Sequence, residues 1–314
     1  MVGRANQIHY DQILTNVSVK YQMPGLIADR IFPIVPVKKE SDLWPVYDLS
    51  QFQLVDDTRQ DADIAKQATW GWRLEYYHTE QHSLRDIITP RQRENIDAPV
   101  DLDIDTTEHL TRLLMLNHER AAARIVQDDA NNLTSIDLAN GWSNYLTASP
   151  KEAIMAASNA IFTATGMRPN IIVIPSTIVR RMLLIEEIKE ERKYTNDLTQ
   201  SGLPNPLWGL EVLEATAVGF SSYIPPGAVN LDPNNPAEPP PQLSEIWGNN
   251  VWIGYVDKPG LRKLTYGATF VPRQRNVRRY VDPERDNGTW IEVDWIYGLK
   301  TIARVCGVLL KNVM

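Results

Sequence analysis

"IADRIFPIVPVKKESDLWPVYD", residues 27–48, is the stretch on which the arrangement of the chain turns. Pro33, Pro36 and Pro45 each fix φ, remove a backbone donor and push the preceding residue toward extended conformations. The stretch therefore predicts neither a helix nor a strand inside a closed core, but an irregular extended path suited to a sheet edge or to a strap over another surface. With Pro24 and a short helical piece around Tyr10–Tyr21, it makes residues 1–45 an arm that is poorly tethered on its own.

Downstream, residues 46–95 alternate short β-like runs, "VYDLSQFQLV" (46–55) and "WGWRLEYYHTEQHSL" (70–84), around the acidic, polar middle "DDTRQDADIAKQ" (56–67). Strand signals flanking a polar turn-rich segment predict a long two-stranded excursion. An isolated ribbon is marginal in water, so something should cover it. Trp70, Trp72, Tyr76 and Tyr77 either pack on a neighbour or turn inward, and the sequence leaves both open.

A helix is predicted over about 105–129, opened by "DTTE" (105–108) as a capping box. Leu110, Leu113, Leu114, Asn117, Ala121 and Ile125 follow helical spacing, and Met115, Leu116, Ala122 and Val126 make other faces apolar too. At 1.5 Å per residue this is a spine of roughly 37 Å, buried on more than one side. A second helix starts with Pro150 in its first turn and closes at Gly166. "RPNIIVIP" (168–175) reads as a buried strand, "STIVRRMLLIEEIKEERKY" (176–194) as a third helix opened by Ser176, and "LWGLEVLEATAVG" (207–219) as another strand. The Pro-rich stretch "IPPGAVNLDPNNPAEPPPQL" (224–243) reads as a loop held against something. The remainder is strand-like, and its final apolar run is expected to pair back into a central sheet.

Composition bounds the chemistry. The 314 residues, 43% hydrophobic and 23% charged, suffice for one large domain or two ordinary ones with a sizeable core. A formal charge of -7 argues against broad attraction to nucleic-acid phosphate, so any contact with DNA is local or merely enclosing. Cys306 is the single cysteine, which excludes an internal disulfide and a cysteine-based zinc site, and in "IARVCGVLL" it reads as a small buried hydrophobe. The N-terminus shows no secretory h-region and no run is apolar enough for a membrane span, so a cytoplasmic site of synthesis is expected.

Catalytic and cofactor motifs are absent: there is no GxSxG elbow, no GxGxxG turn and no GxxxxGK loop. The one metal candidate is "HTEQH", with His78 and His82, but Thr79 stands where the zincin pattern needs Glu. Read as a strand, the same segment separates the two imidazoles by about 13 Å. His109 and His118 lie nine apart, out of helical register for joint ligation. The acidic runs "DDTRQDAD" and "IEEIKEER" read as solvated faces. No catalytic, cofactor or metal residue is therefore assigned. Arg273, Arg275, Arg278, Arg279 and Arg285 form the densest cationic group, with three open destinations: DNA phosphate, acids such as Asp56, Asp57, Asp61 and Asp63 of another subunit, or plain surface exposure.

In this order, "LIADRIFPIVPVKKESDLWPVYD", "AIMAASNAIFTATGMRPNIIVIPSTIVRRML", "LWGLEVLEATAVG", "IWGNNVWIGYV" and "YGLKTIARVCGVLLKNV" resemble the major capsid proteins of tailed bacteriophages over nearly the full length. The resemblance implies an α+β fold with an N-terminal arm (1–45), an extended β-hairpin loop over an adjacent subunit (46–95), a peripheral domain with the spine helix (96–132), an axial α/β domain (133–265) and strands returning to the peripheral domain (266–314). It implies a structural, non-enzymatic subunit that assembles as pentamers and hexamers into an icosahedral procapsid enclosing double-stranded DNA. The partners implied are a separate scaffolding protein, a portal and a decoration protein, with no membrane, and the location is the virion after assembly in the host cytoplasm. Some members crosslink lysine to asparagine; Lys66 is the one lysine in the expected loop, and nothing in the sequence supplies its partner. Two alternatives stay open: an encapsulin-like nanocompartment shell of the same fold, and a metal-dependent hydrolase using His78 and His82.

Overall fold

A computed structural model of the chain describes residues 9–47, 50, 53–59, 61, 64–69, 71–96, 101–139, 141–193, 197–220, 243–257 and 264–313. The arm holds β1 (His9–Tyr10), α1 (Gln12–Lys20), α2 (Ala28–Ile31) and β2 (Ile34–Pro36). Next come the ribbon strands β3 (Ser41–Tyr47) and β4 (Trp72–His78), then β5 (Glu80–Ile88), α3 (Pro90–Glu94) and the spine helix α4 (Leu102–Gln127). An α/β unit follows: β6 (Thr134–Asp137), α5 (Pro150–Thr165), β7 (Ile171–Pro175), α6 (Ser176–Met182), α7 (Glu186–Lys193), β8 (Glu211–Ala215), β9 (Val218–Phe220), β10 (Leu243–Glu245) and β11 (Val251–Gly254). The long hairpin β12 (Gly267–Asp282) and β13 (Gly288–Thr301) leads to β14 (Gly307–Lys311). Of the Pro-rich stretch 224–243, all but Leu243 lies outside the described residues.

Two sheets carry the body. The first runs β1-β12-β13-β5, with β2 beside β12, and the second runs β6-β14-β11-β7-β8. β14 threads between β6 and β11, so the last stretch of chain divides between the sheets. β7 is buried at every residue because both its faces are covered: Ile172 and Ile174 join Ile154, Ile161 and Val251, while Ile171 and Val173 turn to Phe32, Trp252 and Tyr266. Leu110 and Leu114 of α4 pack on Val277, Ile291 and Val293 of the first sheet.

The proline-rich stretch supplies the sheet edge its sequence predicts, β2, but departs from the rest of that reading. Residues 28–31 do form a helical turn, and Ile31 and Phe32 are wholly buried within their own chain. β2 pairs in parallel with β12, Ile34 opposite Thr269 and Pro36 opposite Val271. The prolines are compatible because β2 is an edge that needs few donors: the Pro33 carbonyl accepts from Thr269 N at 3.1 Å, and Val37 N donates to Val271 O at 3.1 Å. The strap character belongs only to the second half, where Ser41–Tyr47 pairs with Trp72–His78.

Four local expectations also change. The spine helix opens at Leu102 with Asp101 as its cap, the carboxylate accepting from the amides of Asp103 and Ile104, and its 26 residues span about 39 Å. Thr107, inside the expected capping box, instead donates its hydroxyl back to the Asp103 carbonyl at 2.7 Å. The buried residues are Thr107, Leu110, Thr111, Leu114, His118, Glu119, Ala122, Ala123 and Val126, with Leu113 and Asn117 exposed. The helix expected over 176–194 breaks into α6 and α7, and Glu245 caps α6 from a distant strand through Thr177 N (2.9 Å) and Oγ1 (2.7 Å) in place of Ser176. Of the strand expected over 46–55, Val46 and Tyr47 alone are in β3, and residues 53–59 carry no regular structure. The run over 70–84 breaks at buried Thr79, whose N–H and hydroxyl both donate to the Glu40 carbonyl, so β4 stays in the ribbon while β5 enters the first sheet.

If residues 31–32 are core, Phe32→Ala lowers stability by about 3–5 kcal/mol, read as a fall in the urea midpoint. A change within about 0.5 kcal/mol, the size for a surface site, would return this segment to the status of a loose strap.

Candidate interaction surfaces

The ribbon has two unlike faces because side chains alternate along each strand. The register sets Leu43 opposite Tyr76 and Pro45 opposite Leu74 on one side, and Asp42 opposite Tyr77 and Trp44 opposite Glu75 on the other. The second face is clasped to the body: Tyr77 stacks on Phe270 with centroids 4.4 Å apart, and Trp44 meets the same ring edge-on at 5.2 Å. The first is uncovered, with Leu43, Trp72, Leu74 and Tyr76 each about half exposed. Tyr77 thus takes the inward course left open for the aromatics, while Trp72 and Tyr76 face outward and uncovered; Trp70 lies outside the described residues.

The root of the ribbon is held tightly. A Cβ at Gly298 would lie 2.2 Å from the His78 carbonyl oxygen, so β13 approaches the end of β4 as closely as only glycine permits. Lys300 donates to the Tyr76 carbonyl and pairs with Glu75 at 3.3 Å. In the excursion, Lys66 pairs with Asp56, which Thr58 also engages; this pairing holds the Asp56 carboxyl down at about 2. Asp57 and Asp61 are exposed, Asp63 lies outside the described residues, and Leu54 stands fully in solvent.

The arginine group finds its partners at home. Arg278 meets Glu292 at 3.0 Å and Asp294 at 3.4 Å, Arg273 meets Asp294 at 3.7 Å, and Arg279 meets Asp103 at 3.3 Å. Asp294 is buried and also accepts from Gln81 and Ser83. Arg275 lies 5.4 Å from the Trp295 centroid, while Arg285 and Arg85 both lie over Trp290 at 5.3 and 4.4 Å. The acids that meet them belong to the same chain, on the neighbouring strand β13 and on α4, while Arg273, Arg279 and Arg285 also stay exposed, as the surface reading has it.

The histidines do not converge. His78 ends β4, stacked beside Tyr76, whereas His82 lies on β5 against Tyr297 with centroids 4.1 Å apart. His109 is exposed; His118 is buried against Trp295 and Tyr297 at 4.9 and 4.8 Å, and desolvation, aided by His82 and Arg275, pushes its pKa down to about 3. Among the described residues no group of three or more His, Cys, Asp or Glu is placed to hold a metal ion. Cys306 is buried, and burial pushes its thiol up to about 12.

One residue carries more than its sequence context indicates. Glu119, in mid-helix within "NHERAAAR", is wholly buried, and its carboxylate accepts from Ile27 N (3.1 Å), Ala28 N (2.9 Å) and Trp247 Nε1 (2.7 Å). Burial pushes its carboxyl above the usual range while these three donors pull it back. A charged residue in a helix is ordinarily solvated, so no local pattern marks it. The neighbouring Arg30–Glu211 pair, with contacts of 2.7 and 2.8 Å, fastens the same turn to β8.

No protein-family model matches the chain. The major capsid protein of Pseudomonas phage JBD67 is 26% identical over 279 residues, 83% of this chain and 81% of that protein. A phage-related protein from Bordetella bronchiseptica superposes with a TM-score of 0.71 at 20% identity, covering 98% of both chains. The capsid of cyanophage P-SCSP1u gives 0.66 at 8% identity over 99% of this chain and 92% of that one. An encapsulin from Synechococcus elongatus follows at 0.54 and 12%, over 94% of this chain and 90% of that one. The fold is thus the α+β fold shared by phage capsid subunits and encapsulins, and the curated relatives are phage major capsid proteins.

Two outcomes follow from the buried groups. Glu119→Gln keeps the shape but removes the charge that three donors share, and lowers stability by about 2 kcal/mol, with faster amide exchange at Ile27 and Ala28. For His118, the unfolded imidazole takes a proton near pH 6.5 and the folded one resists until about 3, so between these values the unfolded state holds more protons. Stability falls as pH drops through that window, by up to about 1.4 kcal/mol per pH unit, and this component is absent in His118→Leu. Parallel pH profiles of the two proteins would refute the assignment.

Proposed function

We infer that the chain is the structural subunit of an icosahedral phage head. The observation that carries this is the ribbon: a two-stranded element too weak to stand alone, clasped on one face and uncovered along an apolar row on the other, in a chain whose curated relatives are phage major capsid proteins. In this reading a neighbouring copy covers the outer face, and the contact repeats around pentamers and hexamers. Each contact is modest, and closure of the shell makes their sum large.

The domain plan proposed from sequence is carried forward with shifted limits and one reassignment: β14, expected to return to the peripheral part, joins the axial one. The ribbon comprises residues 41–78, the peripheral part is α4 with the β1-β12-β13-β5 sheet, and the axial part is the β6-β14-β11-β7-β8 sheet with α5 to α7. Double-stranded DNA is enclosed without sequence-specific contact; the charge of -7 and the internally neutralised arginines support a lining that does not adhere to its contents. A separate scaffolding protein, a portal and a decoration protein are the proposed partners, with assembly in the host cytoplasm. The role is structural rather than catalytic.

Electron microscopy and sedimentation of the chain, expressed alone and with its genomic neighbours, test the reading: closed shells, tubes or capsomer rings support it, and a uniform monomer or dimer under both conditions rejects it. Within that assay, Trp72→Asp/Leu74→Asp leaves the circular dichroism spectrum and melting temperature nearly unchanged but abolishes assembled particles. Shells of normal yield from this variant would show that the outer ribbon face is not an interface.

A further inference from the structure

The β12–β13 hairpin closes through the exposed loop 283–287, and its last two residues both take left-handed backbone, Asp286 at φ 53° and Asn287 at φ 52°. Asn and Asp tolerate this region better than most other residues with a side chain. The next position is pressed from two sides: a Cβ on Gly288 would lie 2.7 Å from Ile87 Cδ1 and 3.0 Å from the Arg285 carbonyl oxygen. The hairpin thus selects an Asn-Gly pair, in which no side chain hinders attack on the asparagine by the amide nitrogen that follows it.

In that reaction the Gly288 nitrogen gives up its proton to hydroxide and bonds to Asn287 Cγ. The side-chain amide leaves as ammonia, taking a proton from solvent, and water opens the resulting cyclic imide at either carbonyl to give aspartate or isoaspartate. The same turn withholds the nucleophile. Gly288 is buried and its N–H donates to Arg285 O at 2.8 Å, while Asp282 pins the loop by accepting from Glu284 N at 3.1 Å and Trp290 Nε1 at 2.9 Å.

We propose that Asn287 is a site of spontaneous deamidation, held back by the folded turn and released when the hairpin opens. Aspartate there adds a charge to a loop already carrying Glu284 and Asp286, and isoaspartate adds a methylene to the backbone beside the Asp282–Gly288 pair. The assignment is independent of the shell reading, since it concerns the isolated chain. The sequence holds one other Asn-Gly pair, 140–141, with Asn140 outside the described residues, so the test must localise the product.

Peptide mapping with electron-transfer fragmentation follows residue 287 at mildly alkaline pH in the full chain, folded and in urea, beside a synthetic peptide of residues 281–291. The peptide and the unfolded chain should convert at comparable rates, and the folded chain at least about tenfold more slowly, as a hydrogen-bonded turn that must open first requires. Asp286→Pro, whose φ near about −65° is incompatible with the observed 53°, should bring the folded chain close to the peptide rate. Conversion of the wild-type folded chain at the peptide rate overturns the proposal, as does the absence of isoaspartate at 287 from both peptide and unfolded chain. An Asp286→Pro chain that retains the wild-type circular dichroism spectrum and converts as slowly as wild type would place the protection outside the turn and overturn it as well.

Discussion

A carboxylate withdrawn from water is tolerated only where hydrogen bonds replace its hydration, and Glu119 meets that condition by gathering donors from parts of the chain remote from one another. Ile27 and Ala28 come from the arm, Trp247 from the α/β unit and the carboxylate itself from the spine helix. Because stripping the donors away would strand a buried charge, the three regions are obliged to keep a common geometry. The surroundings reinforce it. Gly25 adopts φ +85°, and a Cβ there would sit 2.1 Å from Thr216 Oγ1, so the arm passes the α/β unit as closely as a bare backbone allows.

The β12–β13 hairpin resolves the electrostatics in a similar way. Its arginines point at acids on β13 and α4, and the aromatic rings of Trp290 and Trp295 accept the remaining guanidinium faces. In a segment that looks strongly basic in one dimension, four of the five arginines have a carboxylate within 4.0 Å in three. This leaves the overall negative charge as the property a polyanion would meet, in keeping with a container that encloses without binding.

Legibility in the sequence follows the range of the forces involved. The continuous β-branched run of β7 and the Pro150-to-Gly166 limits of α5 are local signals, and both appear where the sequence places them. The burial of Ile31 and Phe32 was not legible, since prolines speak against a strand unless a partner edge happens to use their carbonyls, as β12 does. Likewise Glu245 capping α6, Asp101 displacing the "DTTE" box and Glu119 at the junction depend on contacts that no window of neighbouring residues contains. The ribbon was legible as a ribbon; its register, and therefore which aromatics turn outward, was not.

The alternation of the ribbon restricts how this chain can vary over time. Since successive residues point to opposite sides, gain or loss of one residue within β3 or β4 would carry Trp44 and Tyr77 away from Phe270 and drive Leu43 and Tyr76 into their place. Length drift is therefore permitted in pairs, or in the irregular excursion between the strands, where loop closure grows only slowly with length. Substitution on the two faces answers to different constraints as well: one face must keep step with Phe270 of its own chain, the other with whatever surface lies across it.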